Sequence, residues 1–372
     1  MTGASLFSPI DFRSLHLENR IVVSPMCQYS AVNGSANDWH VVHLGHLALS
    51  GPGLVFTEAT HVSAEGRITP QCLGLYSDEN EAGLARVLQF MRSWTRSAVG
   101  IQLAHAGRKA SVAVPWEGGK SLSGATSWET FAPSAIAYDQ DWQTPTALDA
   151  IGMQKIRDDF VSSAKRALRL GFDVVELHFA HGYLAHQFLS PLSNAREDDY
   201  GGSLQNRMRF PLELFRAVRD VWPQGRPMGV RISATDAVED GWDLQDSIEL
   251  ARELRALGCD FIDCSSGGLS PAQKIEVVPG YQVPFASAIR EQAKVPTFAV
   301  GMIVDPHFAQ EILASGQADC VVLARAFLRN PRWTWDAADI LGGRPFVPNQ
   351  YLRGRDGRFA IPPTSEGRIQ TQ

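Results

Sequence analysis

The sequence predicts a (β/α)8 barrel, in which eight parallel strands close a cylinder inside a ring of helices. Eight short β-like runs occur along the chain, and segments with helical periodicity separate most of them. Several helical segments are followed by a glycine directly before the next strand, as at Gly171, Gly258 and Gly316. Glycine there ends a helix at low cost because it readily adopts the left-handed conformation. The number of strands favours a closed barrel over an open sheet.

The predicted strands are runs of six or seven residues, in the order 20–26, 53–59, 98–104, 173–179, 228–233, 261–266, 297–302 and 320–325. The predicted helices between them include 80–96, 151–170, 207–222, 244–257 and 306–315. The segment LQDSIELARELRAL, residues 244–257, illustrates the helical pattern, because its apolar residues recur three and four positions apart.

Two segments depart from the alternation of strand and helix. Residues 1–18 precede the first barrel strand and have the pattern of a small hairpin, which we expect to cover the N-terminal mouth of the barrel. Residues 106–147 follow the third strand and are rich in Gly, Ser, Trp and Pro. A connection of this length usually forms a lid or a binding loop. We therefore expect one barrel domain over 1–353, with 106–147 as its insertion, and a polar C-terminal tail over 354–372.

Composition excludes several classes of protein. A net charge of −6 argues against a broad basic surface for nucleic acid. The sequence has no apolar run long enough to span a bilayer, and its first residues, MTGASLFSPIDF, lack the basic and apolar regions of a signal peptide. The five cysteines form no CxxC pair. We expect a reduced, soluble, cytoplasmic protein that binds neither nucleic acid nor membrane.

The end of the fourth predicted strand carries the most informative side chains. His178 and His181 lie where this strand runs into a loop, and Tyr183 follows two residues later. Two imidazoles can hold a developing oxyanion while a phenol delivers a proton. Alternation along the strand directs Glu176 and His178 inward, and an inward carboxylate needs a partner. We expect that partner to be Arg231 on the next strand.

Active sites of (β/α)8 barrels lie at the C-terminal ends of the strands, so the other strand ends are candidates as well. They contribute polar side chains, a cysteine and glycine-containing turns: Ser24 to Tyr29, Glu58 to Thr60, Gln102, Arg231, Gly301, Ala324 and Arg325. The last three come from the seventh and eighth strands, where phosphate is commonly bound in this fold.

Other chemistries fit parts of the pattern less well. His178 and His181 could be ligands of a metal-dependent barrel hydrolase, but HFAHGY itself contains no carboxylate. His40, His43 and His46 share a helical face, for which packing is a better interpretation than zinc binding. The GGKS run at 118–121 has Val114 where a phosphate-binding loop needs glycine. The absence of GxGxxG means that a nicotinamide would bind without a Rossmann domain.

Four motifs together carry a family resemblance. SPMCQYS, IQLAHAGRK, APSAIA and the block HFAHGYLAHQFLSPLSNAREDDYGGSLQNRMRF occur in this order between residues 5 and 353. The chain thereby resembles the old yellow enzyme family of FMN-dependent ene-reductases. Cys27 after Ser-Pro-Met, with Tyr29 just beyond it, is similar to the bacterial thermophilic-like branch that includes the xenobiotic reductases.

The resemblance implies a role for each candidate residue. Flavin contacts would come from Ser24, Pro25, Met26, Cys27, Ala59, Gln102 and Arg231, and phosphate contacts from Gly301, Ala324 and Arg325. Ala324 departs from the glycine of many relatives, which matters only if this residue needs a positive φ. His178 and His181 would hold the substrate's carbonyl oxygen, and Tyr183 would be the proton donor. Cys27 would modulate the flavin potential, and Tyr29 would contact substrate.

The implied reaction is the reduction of an activated alkene. NADPH or NADH reduces FMN and leaves, and flavin N5 then transfers hydride to the β-carbon of an electron-poor alkene, so that ping-pong kinetics are expected. The resemblance also implies a homodimer or tetramer in which Arg353 reaches the neighbouring subunit's active site, although a solvated surface arginine is an equal alternative. A metal-dependent or Schiff-base barrel enzyme and a non-catalytic flavoprotein are the competing classes.

Overall fold

The computed structural model describes residues 4–355 and contains the predicted barrel. The strands are β1 (Ile10–Phe12), β2 (Leu15–Leu17), β3 (Ile21–Val23), β4 (Leu54–His61), β5 (Ala98–Ala104), β6 (Phe131–Ala132), β7 (Thr146–Ala147), β8 (Val174–Phe179), β9 (Met228–Ser233), β10 (Phe261–Ser265), β11 (Thr297–Ala299) and β12 (Cys320–Leu323). The helices are α1 (Asp38–Ala48), α2 (Asp78–Trp94), α3 (Ala150–Leu170), α4 (Leu184–Leu189), α5 (Leu204–Val221), α6 (Leu244–Ala256), α7 (Val283–Ala293), α8 (Pro306–Ala314), α9 (Arg325–Arg329) and α10 (Trp333–Leu341).

Eight of these strands form a closed parallel barrel in chain order, β3-β4-β5-β8-β9-β10-β11-β12, with β12 paired to β3. All eight predicted strands are therefore confirmed, but five are shorter than expected, and the first and the seventh are shorter by three residues or more. The first ends at Val23, shortly before Pro25, which has no N–H to donate to the ladder. The seventh ends at Ala299, and Gly301 then has φ +128, outside the range of a strand.

Local sequence signals explain where the helices begin and where they end. Asp149 and Asp243 accept N–H groups of the first turns of α3 and α6 through their side chains. Gly171, Gly258 and Gly316 have φ of +84, +91 and +75, as expected for glycines that end helices.

The N-terminal hairpin closes the N-terminal mouth of the barrel, as predicted, and this mouth is called the lower end below. Strands β1 and β2 pair antiparallel, and the ring of Phe12 packs edge-on against Phe261 and Phe298, with centroids 5.9 and 5.6 Å away. Phe261 and Phe298 themselves stack at 4.2 Å. Arg13 fixes the hairpin to the start of β10, because its Nε donates to Oδ1 of Asp260 at 2.6 Å.

Two glycines make room for this aromatic layer inside the barrel. A Cβ on Gly229 would lie 2.2 Å from the ring of Phe261, and one on Gly100 would lie 2.4 Å from the ring of Phe56. These positions need glycine because a large ring from the neighbouring strand occupies the space of a side chain. The lower half of the barrel is thus a packed core, and the upper half is left for chemistry.

The insertion after β5 is folded rather than a bare loop. It contains short 3-10 turns at 107–109, 115–117 and 124–126 and the small parallel pair β6–β7. Of the predicted C-terminal tail, residues 356–372 lie outside the described part of the chain. Between residues 4 and 355, no helix has the length and apolar character that crossing a membrane requires.

Phe12→Ala is expected to lower the free energy of unfolding by about 3–5 kcal/mol, because the substitution leaves a cavity between two buried rings. His16→Ala on the same hairpin is the control, since His16 is exposed and its contact with Asp11 lies on the surface, where even an ion pair is worth less than about 1 kcal/mol. Urea unfolding followed by circular dichroism measures both. Equal unfolding midpoints for the two variants would show that the hairpin contributes little to barrel stability.

Candidate active site

The register of the barrel brings the predicted site residues into two levels. In the lower level, Ala59 on β4, Gln102 on β5 and Glu176 on β8 are lateral neighbours. In the upper level, His178 on β8 lies beside Arg231 on β9, which in turn lies beside Asp263 on β10. Both levels are at the C-terminal half of the barrel, where the sequence places the site.

Asp263 overturns the expected pairing of Glu176 with Arg231. Arg231 Nε lies 3.3 Å from Oδ2 of Asp263, and its Nη1 donates to Oγ of Ser24 at 3.1 Å. Glu176 Oε1 instead accepts from Nε2 of Gln102 at 2.8 Å. The reason is register, because Glu176 stands one level below Arg231 and beside Gln102. The inward position of Asp263 in FIDCSS was the available signal, and it was missed.

This cluster holds one cation between two buried carboxyl groups. Burial raises the pKa of Glu176 well above its ordinary value, and the charge of Asp263 adds to the effect, whereas Arg231 opposes it. Burial also raises the pKa of Asp263. The guanidinium stays charged because arginine is not deprotonated in proteins. Arg231 therefore supplies a fixed positive charge beneath the mouth of the barrel.

The three predicted catalytic side chains meet at the end of β8. The ring of His178 lies 5.0 Å from that of His181 and 4.9 Å from that of Tyr183, both edge to face. The N–H of Ala180 donates to Nδ1 of His178, so the proton of a neutral His178 is on Nε2. That nitrogen lies 3.3 Å from Nδ1 of His181.

Ser265, at the end of β10, completes the contacts of His181. Its hydroxyl lies 2.7 Å from Nε2 of His181 and 3.4 Å from Oε1 of Gln282. A hydroxyl can donate or accept, so Ser265 is compatible with either tautomer of His181. The sequence placed Ser265 at a strand end but gave it no role.

Burial sets the protonation states of the trio. It lowers the pKa values of His178 and His181 well below the ordinary value, and the neighbouring imidazole and Arg231 contribute for His178. Burial raises the pKa of Tyr183 well above that of a free phenol. At neutral pH the site therefore offers two uncharged imidazoles and a protonated phenol.

Glu58 supports the loop that follows β3. Its Oε2 accepts the N–H of Gln28 at 3.0 Å, and its Oε1 lies 3.2 Å from Nε2 of buried His40. Gln28 separates Cys27 from Tyr29, which has the left-handed φ of +49. His40 thus supports this loop through Glu58. The rings of His43 and His46 meet edge to face, with centroids 5.9 Å apart. From residue 4 to 355, no group of three or more His, Cys, Asp or Glu side chains could hold a metal ion.

The insertion packs against the trio through a lysine and aromatic rings. Lys109 Nζ donates to the carbonyl oxygens of Gly268 and His181 at 2.7 and 3.0 Å and lies 4.5 Å from the centroid of the Tyr138 ring. Burial lowers the pKa of Lys109 to about 8. The ring of Trp116 meets that of Tyr29 at 5.8 Å. Lys109 was part of a quoted motif, but the sequence did not indicate that it binds the backbone at His181.

The predicted phosphate contacts lie at the ends of β11 and β12. Ala324 has φ −109, so the alanine carries no left-handed strain at the position where many relatives have glycine. It directly precedes α9, whose first residue, Arg325, has an exposed side chain. Gly301 has φ +128, which favours glycine.

The donor set at the barrel mouth fits FMN. Arg231 is a buried cation next to Ser24, and Gln102 is a neutral amide one level below it. Positive charge and N–H donors stabilise a reduced, anionic flavin ring. Gly301 and Ala324 lie at the ends of β11 and β12, and Ala324 directly precedes α9, a placement typical of phosphate contacts in this fold.

The comparisons with known proteins agree with this geometry. Residues 5–341 match the NADH:flavin oxidoreductase / NADH oxidase family. The chain belongs to this family. It is 45% identical over 351 residues to an NADPH dehydrogenase of Bacillus subtilis (strain 168), covering 94% of this chain and 98% of that protein.

Solved structures show the same relationship. A morphinone reductase in complex with tetrahydroNAD matches with a TM-score of 0.77 and 27% identity, covering 93% of each chain. An old yellow enzyme homologue from Zymomonas mobilis matches with a TM-score of 0.76 and 25% identity, covering 92% of this chain and 95% of that one. The protein is thus an FMN-dependent NADH/NADPH oxidoreductase of the old yellow enzyme type. Membership of the NADH:flavin oxidoreductase / NADH oxidase family favours a flavoenzyme over a metal-dependent hydrolase.

Cys27 is expected to react slowly with iodoacetamide up to about pH 9. Burial, with Cys72 and Glu58, raises the pKa of the Cys27 thiol well above its ordinary value, so the nucleophilic thiolate forms only at high pH. The rate should rise steadily with pH and be increased by Glu58→Gln, which removes one negative charge. Mass spectrometry of the alkylated peptide separates Cys27 from the four buried cysteines. A rate that levels off below pH 8 would contradict the raised pKa of the Cys27 thiol.

Proposed function

We propose that the protein is an ene-reductase that reduces the C=C bond of electron-poor alkenes, namely α,β-unsaturated carbonyl or nitro compounds. The observation that supports this best is the convergence of His178, His181 and Tyr183, with ring centroids of 5.0 and 4.9 Å around His178. Two neutral imidazoles beside a protonated phenol suit a substrate that gains negative charge on oxygen and a proton on carbon.

Ser24, Pro25, Met26, Cys27, Ala59, Gln102 and Arg231 would hold the FMN ring, and Gly301, Ala324 and Arg325 its phosphate. When bound, FMN supplies the hydride. Asp263 and Ser24 contact the Arg231 guanidinium on two sides and hold it at this place. We propose that NADPH or NADH and the alkene bind alternately at the same place, which predicts ping-pong kinetics. NADPH is named in the dehydrogenase relatives, and tetrahydroNAD in the morphinone reductase complex.

The imidazoles would hold the activating oxygen of the substrate. An oxygen placed between the rings can accept Nε2–H of His178 and, with the proton on Nδ1, an N–H of His181. Ser265 permits this tautomer because its hydroxyl can then donate to Nε2 of His181. Each positioned donor of this kind contributes roughly 3–4 kcal/mol in comparable sites.

Tyr183 would protonate the α-carbon. Its phenol stays neutral over the physiological pH range because burial raises its pKa. The insertion, which packs against the trio through Lys109 and Tyr138, would exclude water from the reaction. Cys27 would tune the flavin through its uncharged thiol, and Tyr29 would add a polar contact to substrate.

A homodimer or tetramer with a shared arginine is part of the proposal. Arg353 lies in the turn 349–355 and is exposed, whereas Arg355 in the same turn pairs with Asp339. We propose that Arg353 reaches the active site of the neighbouring subunit and that residues 1–353 form one functional domain. All five cysteines are free thiols, which supports a cytoplasmic location.

Tyr183→Phe is expected to slow alkene reduction by about 10²–10⁴-fold, because it removes the general acid and leaves the ring. Reduction of the bound flavin by NADPH should persist. Stopped-flow absorbance of the flavin with NADPH and then with cyclohexenone separates the two half-reactions. Tyr138→Phe is the control, since it removes a hydroxyl from a neighbouring ring that contacts the same lysine. Equal losses in both half-reactions of Tyr183→Phe would show that Tyr183 is not chiefly the proton donor.

Arg353→Ala is expected to raise the KM for the alkene about tenfold while the flavin content stays at the wild-type level, because the substitution removes a charge that reaches substrate from outside the subunit. Arg216→Ala, an exposed arginine on α5, is the control. Steady-state kinetics and sedimentation velocity measure activity and assembly. Unchanged KM in a confirmed oligomer would refute the shared arginine.

A further inference from the structure

The loop between the two catalytic residues His181 and Tyr183 is held in an unusual conformation. His181 has φ +58 and Gly182 has φ +73, so two consecutive residues lie in the left-handed region. A residue with a side chain seldom adopts this conformation, and it persists only where the surroundings impose it. We call residues 180–183 the catalytic turn.

Four side chains bind the four polar backbone groups at the centre of the catalytic turn. Ser233 and Lys109 contact the N–H and C=O of His181, at 2.9 and 3.0 Å. His186 and Gln187 contact the N–H and C=O of Gly182, at 2.9 and 2.7 Å. His186 accepts the N–H of the peptide that joins His181 to Gly182, and its side chain is completely buried.

Asp236 determines how His186 can act. Nε2 of His186 lies 2.8 Å from Oδ1 of Asp236, and both side chains are fully buried. Oδ2 of Asp236 accepts from the hydroxyl of Ser190 at 2.6 Å and from the N–H of Trp242 at 2.8 Å. Burial acts to raise the pKa of Asp236, but His186, Ser190 and Trp242 together hold this pKa below its ordinary value.

An ionised Asp236 fixes the tautomer of His186. A carboxylate can only accept, so the imidazole keeps its proton on Nε2, the nitrogen that faces Asp236. Nδ1 then has a lone pair, which the N–H of Gly182 needs as its acceptor. The opposite tautomer would place two N–H groups against each other at Gly182.

We propose that His186, oriented by Asp236, is a positioning residue that sets the relative placement of the His181 imidazole and the Tyr183 phenol. This proposal rests on the ene-reductase function proposed above. His186 touches neither substrate nor flavin and acts through the peptide of Gly182. Because a misplacement of about 1 Å can cost 10²-fold in rate, the acceptor at Gly182 should affect catalysis strongly.

Two substitutions distinguish the contacts made by the two ring nitrogens of His186. Asn can place its side-chain oxygen where Nδ1 lies and so accept from Gly182, but it does not reach Asp236. Gln can place its amide nitrogen where Nε2 lies and so reach Asp236, but it offers no acceptor to Gly182. Each variant loses one contact of a buried side chain, so the two are a matched pair for stability.

H186N is expected to keep the rate of alkene reduction within about threefold of wild type, and H186Q to lose about 10–100-fold. Stopped-flow oxidation of the reduced holoenzyme by cyclohexenone measures this, with flavin content and thermal unfolding recorded for each variant. In a Tyr183→Phe background, H186Q should lower the rate of alkene reduction by a smaller factor than in the wild-type background, because the phenol that it misplaces is already gone. A purely structural role would give the same proportional loss in both backgrounds.

A binding measurement tests the proposal without turnover. The oxidised holoenzyme is titrated with 4-hydroxybenzaldehyde, one oxygen of which the imidazoles would hold. Binding is followed by the visible spectrum of the flavin. H186N should bind it with a Kd near that of wild type, and H186Q about tenfold more weakly. Equal behaviour of H186N and H186Q in both measurements would overturn the role of His186. A wild-type enzyme that oxidises NADPH but reduces no activated alkene would refute the proposed function instead, and the binding measurement would still decide on His186.

Discussion

The closed ladder of parallel strands is the constraint on which the site depends. Each residue of a barrel strand stands at a height fixed by its hydrogen-bonded neighbours on both sides, so inward side chains of adjacent strands must meet at the same level. This places His178, Arg231 and Asp263 in one row and Ala59, Gln102 and Glu176 in the row below. A shift of one residue in β8 would direct His178 outward to the helices and remove the imidazole from the site.

Below these rows, the barrel is filled with aromatic rings, and the rows themselves contain the buried charged groups. Phe261 and Phe298 stack at 4.2 Å and are capped by Phe12 from the hairpin, which closes the lower end to water. The cluster of Arg231, Glu176 and Asp263 is therefore buried on a dry core, where unpaired charge is costly. Such an environment also explains the uncharged state of the imidazoles, the phenol and the Cys27 thiol, because burial disfavours every ionised form alike.

The loops above the barrel are supported by buried polar pairs that lie one layer behind the candidate catalytic side chains. Glu58 with His40 holds the backbone between Cys27 and Tyr29, and Asp236 with His186 holds the backbone between His181 and Tyr183. In both cases a side chain accepts the N–H of a residue that separates two candidate active-site residues. Loops of this kind would otherwise be mobile, and precise placement of catalytic groups requires their support.

The sequence by itself determined the fold and predicted where the site would lie. Eight strands separated by helices, with glycines such as Gly171 at helix ends, predicted the barrel, and the position of the histidines and Tyr183 at a strand end predicted where chemistry would occur. Only the tertiary structure decided the partners. Arg231 pairs with Asp263 rather than Glu176, and Lys109, Ser265 and His186 join the site. The reason is physical: periodicity along one strand fixes which side chains face inward, but the level at which two strands meet, and the loops that close over them, depend on contacts between distant segments.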